Sequence, residues 1–286
     1  MKEKNKMQKK VLAINDISCT GRCSLTVALP IVSAAGLETV ILPTAVLSTH
    51  TSGFQGYTFL DFTEEMRKIT AHWKTLDLKF NGIYTGYLGS KEQLEIVAGI
   101  IKDFSHEGTL VFVDPVMGDD GKLYPGFDSE FPKGMKTLCD MADVIVPNIT
   151  EASLMAGMEY KERDYDKAYI ETLSRKLSDN GPKTVIISGV SFEKGKIGCA
   201  MYDRDTDTVT YGFTDFVASM YHGTGDVFSS ALFGALASGK DVSSATEIAM
   251  NYTKDSIFET SLHTSEKRFG VEFEAGLGKL ADTLSK

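Results

Sequence analysis

The chain has 286 residues, of which 42% are hydrophobic and 24% are charged, and its formal net charge is −9. This length suits one large α/β domain or two small ones, and the composition is ordinary for a globular protein. The acidic charge disfavours nucleic acid and anionic membranes as partners, because both are bound through a basic face.

The amino-terminal segment and the cysteines favour a cytoplasmic protein. Residues 1–10 contain five lysines but neither an apolar core nor a cleavage site, so we predict a disordered segment and no signal peptide. No apolar run reaches membrane-spanning length. The four cysteines are Cys19, Cys23, Cys139 and Cys199. Without a histidine cluster beside them, we expect free thiols in a reducing compartment and one domain over residues 11–286.

Apolar runs alternate with amphipathic stretches along the chain. The predicted strands cover residues 11–15, 40–46, 82–87, 109–113, 144–146 and 184–187. The predicted helices between them cover residues 23–35, about 59–73, 91–104, 132–139 and 165–177. An antiparallel strand pair at 197–202 and 208–213 is followed by helices at 227–236, at 243–259 and near the carboxyl terminus. This alternation predicts an α/β fold with a mostly parallel central sheet and helices on both faces.

Polar side chains gather where the predicted strands end. The loops at 16–22 and 47–53 are polar, and so are the exits of the later strands. The carboxyl ends of parallel strands meet at one edge of a sheet, where ligands bind, so we expect these residues to form one site. They are Asp16, Thr44, Tyr87, Asp114, Asp119, Asn148, Glu151 and Ser188. Asn148 is also placed to cap the helix that follows it.

Part of this set offers oxygen ligands without sulfur or imidazole. Asp114, Asp119, Asn148 and Glu151 suit Mg²⁺ that keeps several waters and binds nucleotide phosphates. The alternative is that the two aspartates are loop acids that face solvent. His50, in the second polar loop, could contact a substrate, contact a phosphate or serve only as a loop residue.

The turn Gly223-Thr224-Gly225-Asp226 runs into an amphipathic helix. The glycines let a ligand approach the main chain, and the free N–H groups of a helix start favour an anion such as phosphate. Asp226 could take the proton of a substrate hydroxyl while the turn neutralises charge on a migrating phosphoryl group. Alternatively, Asp226 only caps the helix. No Walker-type Gly-x-x-x-x-Gly-Lys-Ser/Thr motif is present, which excludes a P-loop enzyme.

Several motifs, in their order along the chain, resemble the ribokinase-like superfamily. They are Asp-Pro-Val-Met-Gly-Asp at 114–119, Val-Pro-Asn-Ile-Thr-Glu at 146–151, Ile-Ser-Gly at 187–189 and Gly-Thr-Gly-Asp at 223–226. The resemblance narrows to the pyridoxal/pyridoxamine kinases of vitamin B6 salvage through Leu-Ala-Ile at 12–14, Ser-Thr-His-Thr at 48–51 and Thr-Gly-Tyr-Leu-Gly-Ser at 85–90. It covers nearly the whole chain from Val11 onward. It implies a homodimeric, MgATP-dependent kinase that phosphorylates the hydroxymethyl group of pyridoxal, pyridoxamine or pyridoxine.

At matching positions the resemblance also implies roles for single residues. Asp226 would be the catalytic base, with an anion hole at Gly223, Thr224 and Gly225. The ATP-binding residues would be Asp114, Asn148, Glu151, Ser188, Gly223, Thr224 and Gly225. The magnesium ligands, direct or through water, would be Asp114, Asp119 and Glu151. The vitamer pocket would be lined by Asp16, Ser18, Cys23, Thr44, His50 and Tyr87.

The first loop departs from the family pattern. Asp16 stands where many pyridoxal kinases have a serine that contacts the pyridine ring, and Ser24-Leu25 stands where Gly-Asn is frequent. Either Asp16 faces the ring nitrogen and selects the protonated ring, or it turns aside toward Ser18 or Cys19 and Ser18 meets the ring. The vitamer preference therefore does not follow from the motifs.

Three other functions compete with this interpretation. Hydroxymethylpyrimidine kinases of the same superfamily usually carry Gly-Gly-Ala-Gly after the first strand and Cys-Gly-Thr-Gly-Cys at the anion hole, and this chain has neither. A sugar kinase is disfavoured because the expected glycine-pair loop and lid segment are not visible. A non-catalytic vitamer-binding protein would need neither Asp226 nor the acidic set.

Overall fold

In the computed structural model, which describes residues 8–218 and 221–285, strands and helices alternate along the chain. The strands are β1 (Lys10–Ser18), β2 (Glu38–Leu47), β3 (Phe59–Asp61), β4 (Gly82–Thr85), β5 (Leu110–Val113), β6 (Gly118–Asp119), β7 (Lys122–Leu123), β8 (Val144–Ile145), β9 (Thr184–Val190), β10 (Lys196–Asp203) and β11 (Thr208–Asp215). The helices are α1 (Leu25–Ala34), α2 (Thr63–Thr75), α3 (Lys91–Phe104), α4 (Phe131–Cys139), α5 (Ile149–Ala156), α6 (Lys167–Ser178), α7 (Thr224–Ser238), α8 (Val242–His263) and α9 (Leu277–Leu284).

The predicted mostly parallel sheet is confirmed. Within the described residues it has nine strands in the order β11-β10-β9-β8-β5-β4-β1-β2-β3. The six strands from β9 to β2 are parallel, whereas β10 and β11 at one edge and β3 at the other are antiparallel. The short pair β6–β7 forms a separate hairpin directly after β5. All parallel strands therefore end at the same edge of the sheet.

Each face of the sheet has its own hydrophobic core, which confirms the prediction of helices on both faces. Helices α2 to α6 cover one face, and α1, α7, α8 and α9 cover the other. Strand β1 supplies both cores, because Leu12 and Ile14 point to the first and Val11 and Ala13 to the second. A strand covered on both faces needs apolar residues at every position, which explains its continuous apolar run.

Several predicted boundaries differ from the structure, including the end of β1 and the start of α2. The residues 16–18 were expected in a loop, but β1 continues to Ser18 by pairing Ile17 with Val46 after a register irregularity. The helix expected from about residue 59 begins at Thr63, because residues 59–61 pair with β2 as an edge strand. Asp61 Oδ1 accepts a hydrogen bond from the Thr63 N–H at 2.7 Å, which fixes the turn between strand and helix.

The amino-terminal prediction is tested only at its end. Strand β1 begins at Lys10, the last residue of the segment predicted to be disordered, while residues 1–7 lie outside the described residues. All four cysteines are free thiols, of which Cys19 is exposed and Cys23, Cys139 and Cys199 are buried. In the described part of the chain, every helix is too short or too polar to cross a membrane.

Candidate active site

The exits of β1 and β4 are joined by a buried asparagine that sequence reasoning gave no role. Asn15 Oδ1 accepts hydrogen bonds from the N–H groups of Tyr87 at 2.8 Å and of Asp16 at 2.9 Å. Gly86 is needed opposite this side chain, because a Cβ there would lie 2.2 Å from Asn15 Nδ2. The Asp114 N–H donates to the Thr85 carbonyl at 2.9 Å, so the exit of β5 lies beside the same point.

The predicted anion turn lies at the start of α7, above this edge. The helix begins at Thr224, and Gly223 is its N-cap with a left-handed φ of 75° and no side-chain cap. A Cβ on Gly223 would lie 2.0 Å from the Arg22 carbonyl oxygen, so only glycine fits. Asp226 lies in the first helical turn and does not occupy the cap position, so the capping alternative is wrong. The backbone N–H groups at this helix start can receive an anion.

Asp226 has a titration range suited to proton transfer. Burial raises the pKa of its carboxyl to about 7, and the negative charge of Asp16 adds to this effect. The Ser24 backbone N–H and the Asn15 side chain act in the opposite direction. A carboxyl with a pKa near neutrality can accept a hydroxyl proton and release it again at ordinary pH.

Asp114 is a second buried carboxyl close to Asp226. It is 6% exposed at the end of β5. Burial raises its pKa to about 8; the Ser229 side chain lowers that pKa and the charge of Asp226 raises it. Two carboxylates in one dry region disfavour joint ionisation, and a bound cation relieves that repulsion.

Asn148 and Glu151 form a capping box at the start of α5, which confirms the predicted cap. The Glu151 N–H donates to Asn148 Oδ1 at 2.9 Å, and the Asn148 N–H donates to Glu151 Oε2 at 2.9 Å. Glu151 Oε1 accepts from the Met117 N–H at 3.1 Å, and Asn148 Nδ2 donates to the Gly118 carbonyl at 2.9 Å. The box thus holds the loop after β5 against α5. Asn148 also forms a parallel bridge to Ser188, which brings β9 to the site.

The expected magnesium ligands do not form a preassembled cage. Across residues 8–218 and 221–285, no three histidine, cysteine, aspartate or glutamate side chains converge as a metal-binding group. Both Glu151 oxygens already accept backbone hydrogen bonds, and Asp119 is exposed with its Oδ1 bonded to the Asp120 N–H. A magnesium ion held by one carboxylate, waters and substrate phosphates fits this arrangement, because Mg²⁺ seldom needs an all-protein cage. The ligand set stays a prediction.

Two tyrosines near the acids were not predicted as site residues. Burial raises the pKa of Tyr124, and so do the charges of Glu151, Asp119, Asp226 and Asp114, in that order. The Tyr124 phenol is therefore within electrostatic range of these carboxyls. The residue follows the β6–β7 hairpin, where the Tyr124 N–H donates to the Met117 carbonyl at 2.9 Å.

The second tyrosine lies beneath the acids on β4. The ring of Tyr84 packs against Phe112 and Phe233, each at a centroid distance of 5.3 Å. Its pKa is raised well above the usual value by burial and then by the charges of Asp114 and Asp226. In the sequence Tyr84 is indistinguishable from an ordinary residue of a buried strand.

Asp16 is bonded to two serines on the side of the site predicted to bind the vitamer. It is 5% exposed, and its oxygens accept hydrogen bonds from Ser24 Oγ at 2.5 Å and Ser18 Oγ at 3.1 Å. Burial is the main reason why its pKa is raised. Asp16 thus contacts Ser18, as in the alternative in which it turns aside from the ring. Both residues lie in strand β1, however, and not in a loop.

Cys23 and Tyr87 lie within electrostatic range of this carboxyl, and Thr44 is bonded to Tyr87. Thr44 is fully buried and donates a hydrogen bond to the Tyr87 carbonyl at 3.1 Å, which holds the backbone of Tyr87 in place. Burial, and then the charge of Asp16, raise the pKa of the Tyr87 phenol to about 12. The pKa of Cys23 is raised by burial and by the charges of Asp226 and Asp16. Its sulfur lies 3.1 Å from the point where a Cβ of Gly223 would stand.

His50 is engaged through both ring nitrogens. Its Nδ1 accepts from the Ser52 N–H at 3.2 Å, so Nε2 carries the proton and donates to the Arg268 carbonyl at 2.5 Å. The ring is buried, with 7% exposure. This geometry favours the loop-residue alternative for His50.

The chain is similar to known small-molecule kinases. Residues 29–271 match the family model of phosphomethylpyrimidine kinase. A crystal structure from Bacteroides thetaiotaomicron, assigned as a phosphomethylpyrimidine kinase and containing pyridoxal, has 40% identity and a TM-score of 0.90 over 98% of this chain and 96% of its own. Pyridoxal kinase from Lactobacillus plantarum has 30% identity and a TM-score of 0.88 over 96% of this chain and 97% of its own.

Curated relatives include both kinase types. A hydroxymethylpyrimidine/phosphomethylpyrimidine kinase of Bacillus subtilis is 28% identical over 76% of this chain and 77% of its own length. The chain spans about half the length of two other curated relatives, 45% and 47%.

Proposed function

The chain belongs to the phosphomethylpyrimidine kinase family, and from this membership we propose that it phosphorylates the hydroxymethyl group of a B6 vitamer to give the 5′-phosphate. It is an ATP-dependent kinase that resembles pyridoxal kinases and pyrimidine kinases alike. One observation carries the proposal: a carboxyl with a pKa of about 7, Asp226, lies in the first turn of the helix that forms the anion turn. General base and phosphoryl stabiliser thus lie side by side.

In the proposed reaction Asp226 accepts the proton of the substrate hydroxymethyl group as its oxygen attacks the γ-phosphorus of ATP. The bond between that phosphorus and the β,γ-bridging oxygen breaks, ADP leaves, and the proton passes from Asp226 to solvent. The N–H groups at the start of α7 stabilise the charge on the transferring group, which the low dielectric of the site strengthens.

The nucleotide side of the site is formed by the exits of β5, β8 and β9. Asn148, Glu151 and Ser188 meet there, and the charge of Asp114 is felt by Glu151 just as the charge of Asp226 is felt by Asp114. Asp114 is the carboxylate we expect to hold Mg²⁺, with Asp119 and Glu151 acting through water. The ion supplies positive charge against the ATP phosphates when bound.

A B6 vitamer is favoured over a pyrimidine by two observations. The Bacteroides relative at 40% identity contains pyridoxal. In addition, the anion turn carries Asp226 where the pyrimidine kinases usually have a cysteine. The vitamer side of the site is then lined by Asp16, Ser18, Cys23 and Tyr87.

Turnover of competing substrates tests the proposal. ADP release is measured with pyridoxal, pyridoxamine, pyridoxine and hydroxymethylpyrimidine in separate reactions, and product masses are determined. We expect kcat/KM for one B6 vitamer to exceed that for the pyrimidine at least about tenfold, roughly 1.4 kcal/mol of discrimination. Preference for the pyrimidine would establish the rival kinase, and binding without ADP release would indicate a non-catalytic binder. A homodimer, implied by the resemblance, is tested on the same sample by light scattering.

A further inference from the structure

The backbone of residues 267–270, which follows α8, accepts hydrogen bonds from two loops of the site. The His222 N–H, directly before the anion turn, donates to the Lys267 carbonyl at 3.3 Å. The Arg22 N–H, in the loop between β1 and α1, donates to the Phe269 carbonyl at 3.1 Å. No catalytic or binding motif covers this segment.

A third loop reaches the segment through a side chain. His50, in the loop between β2 and β3, donates from Nε2 to the Arg268 carbonyl at 2.5 Å. The ring of Phe54 in the same loop lies 5.3 Å from that of Phe269, and the Arg268 guanidinium lies 5.5 Å from the Phe54 ring centre. Three consecutive carbonyls therefore bind three loops that are far apart in sequence.

Close backbone approach makes this contact rigid. Gly270 has a φ of 78°, and a Cβ there would lie 2.8 Å from the Arg22 carbonyl oxygen. A Cβ on Gly21 would lie 2.6 Å from His50 Cδ2, and one on Gly53 would lie 3.0 Å from Arg268 Cγ. Larger residues at these glycines would push the loops apart.

The segment also fixes the tightest contact of the anion turn. Gly223 packs against the Arg22 carbonyl, where a Cβ would be only 2.0 Å away. Arg22 and His222, on the two sides of this contact, are both bonded to residues 267–269. The position of the α7 N–H groups relative to the loop before α1 therefore depends on this segment.

We propose that residues 267–270 are a positioning element for phosphoryl transfer. The element holds the anion turn in place relative to two loops on the vitamer side, the loop between β1 and α1 and the loop between β2 and β3. The inference rests on the proposed kinase function. His50 belongs to this element as a positioning residue that acts through Arg268. Since oxyanion-type donors stabilise the transition state only when their geometry is correct, loosening the element should lower kcat. The KM for ATP should change less than kcat, because Asn148 and Ser188 of the nucleotide side are bonded to other parts of the site, while only the anion turn adjoins the segment.

A matched pair of glycine variants tests this role. Gly270→Ala and Gly36→Ala introduce alanine at the same φ of 78°, but a Cβ at Gly36 meets nothing within 4 Å. Both variants therefore carry a similar backbone penalty, and only Gly270→Ala pushes against Arg22. We expect kcat to fall about 10- to 100-fold in Gly270→Ala relative to Gly36→Ala, with a smaller relative change in the KM for ATP.

Two further measurements distinguish the positioning role of residues 267–270 from a general effect on folding. They also distinguish a failure of this inference from a failure of the proposed kinase function. His50→Gln keeps a donor for the Arg268 carbonyl and should retain kcat, whereas His50→Phe keeps the ring but loses the donor and should not. Hydrogen exchange of residues 221–228 without substrates should accelerate in Gly270→Ala and not in Gly36→Ala. If wild-type protein lacks kinase activity, the proposed function fails while the exchange result still tests the element. Equal kcat and equal exchange in both glycine variants, or wild-type kcat in His50→Phe, would overturn the inference.

Discussion

The pKa of Asp226 links its surroundings to its proposed task. An aspartate in water would be ionised at neutral pH but would be a weak base, whereas burial brings this carboxyl to about 7. The base must be deprotonated to act, so activity should rise with pH through this range. The charge of Asp16 acts on Asp226, and the charge of Asp226 in turn raises the pKa values of Cys23, Tyr84, Asp114 and Tyr124.

We predict that Asp226→Asn retains the fold and substrate binding but loses turnover. Asparagine has nearly the same shape and cannot accept the proton, and loss of a general base costs about 10²–10⁴-fold in rate. Steady-state kinetics at saturating ATP and vitamer measure kcat, and ligand titration measures binding. A variant with near-normal kcat would remove Asp226 from the reaction.

The Asp16 carboxyl leads to a second prediction at this scale. Its contacts with Ser18 and Ser24 leave an acceptor that, when ionised, forms a charge-assisted hydrogen bond with a protonated pyridine ring but no bond to the neutral ring nitrogen. Asp16→Ser should weaken the pH dependence of the vitamer KM, while the KM for ATP changes less than about twofold. Both constants are measured between pH 6 and 9. An unchanged vitamer profile would mean that Asp16 only orders Ser18 and Ser24.

At the scale of elements, the start of α5 combines a structural and an electrostatic role in Glu151. Its carboxylate completes the capping box and also holds the Met117 N–H, yet burial and the charge of Asp114 raise its pKa well above the usual value. A neutral glutamine can form the same box through its one amide oxygen, but it then has no acceptor for the Met117 N–H.

Glutamine and alanine at this position separate the two roles. Glu151→Gln should lower the free energy of unfolding by about 1–3 kcal/mol, because its one amide oxygen can accept from the Asn148 N–H or from the Met117 N–H but not from both. Glu151→Ala, which loses both bonds, should lower it by more. If the charge serves Mg²⁺ and ATP, both variants should raise the magnesium requirement while the vitamer KM stays near that of wild type. Urea unfolding and magnesium titration of activity give these values. Normal magnesium dependence in Glu151→Gln would leave Glu151 as a cap alone.

The elements that could be predicted from sequence have local signals. Helix α3 has the predicted bounds, residues 91–104, because Ser90 caps it and apolar residues recur at helical spacing. Strand β3 has only three residues, all exposed, so it shows no alternation and depends on pairing with β2. The end of β1 was predicted as a loop because the sequence does not reveal the partners outside the strand, Ser24 for Asp16 and Tyr87 for Asn15, that satisfy its polar residues.

At the scale of the whole molecule, the acids of the candidate site lie at the edge of the sheet in positions with little access to solvent. Asp16, Asp114, Glu151 and Asp226 all have raised pKa values, chiefly because they are buried. The acidic exits were predictable because parallel strands end together. Tyr84 and Tyr124 were not, because a buried phenol that faces carboxylates looks in sequence like any core or loop tyrosine.

These raised pKa values predict a pH-dependent stability. A carboxyl whose folded pKa exceeds its unfolded value near 4 stabilises the fold fully below that value, and this contribution is lost as pH rises through the folded pKa. Without magnesium, the free energy of unfolding should therefore fall between about pH 4 and pH 8, where Asp226 and Asp114 ionise.

Asp114→Asn tests that stability prediction. The amide can keep a bond to Ser229 but cannot ionise, so the variant should be more stable than wild type at pH 8 by at least about 1.4 kcal/mol, the equivalent of one pKa unit. It should differ much less at pH 5. Urea unfolding across this range, without metal, gives both curves, and parallel curves would contradict the prediction.

The distribution of thiols described with the fold gives this protein a chemically selective handle. Burial raises the pKa of Cys23, Cys139 and Cys199, and a buried thiol with little thiolate reacts slowly with alkylating reagents. Cys19 is exposed on the loop that precedes α1, beside the vitamer side of the site. A maleimide dye should therefore label the native protein at Cys19 first. Slower labelling of the three buried cysteines would then report the rate at which the protein unfolds.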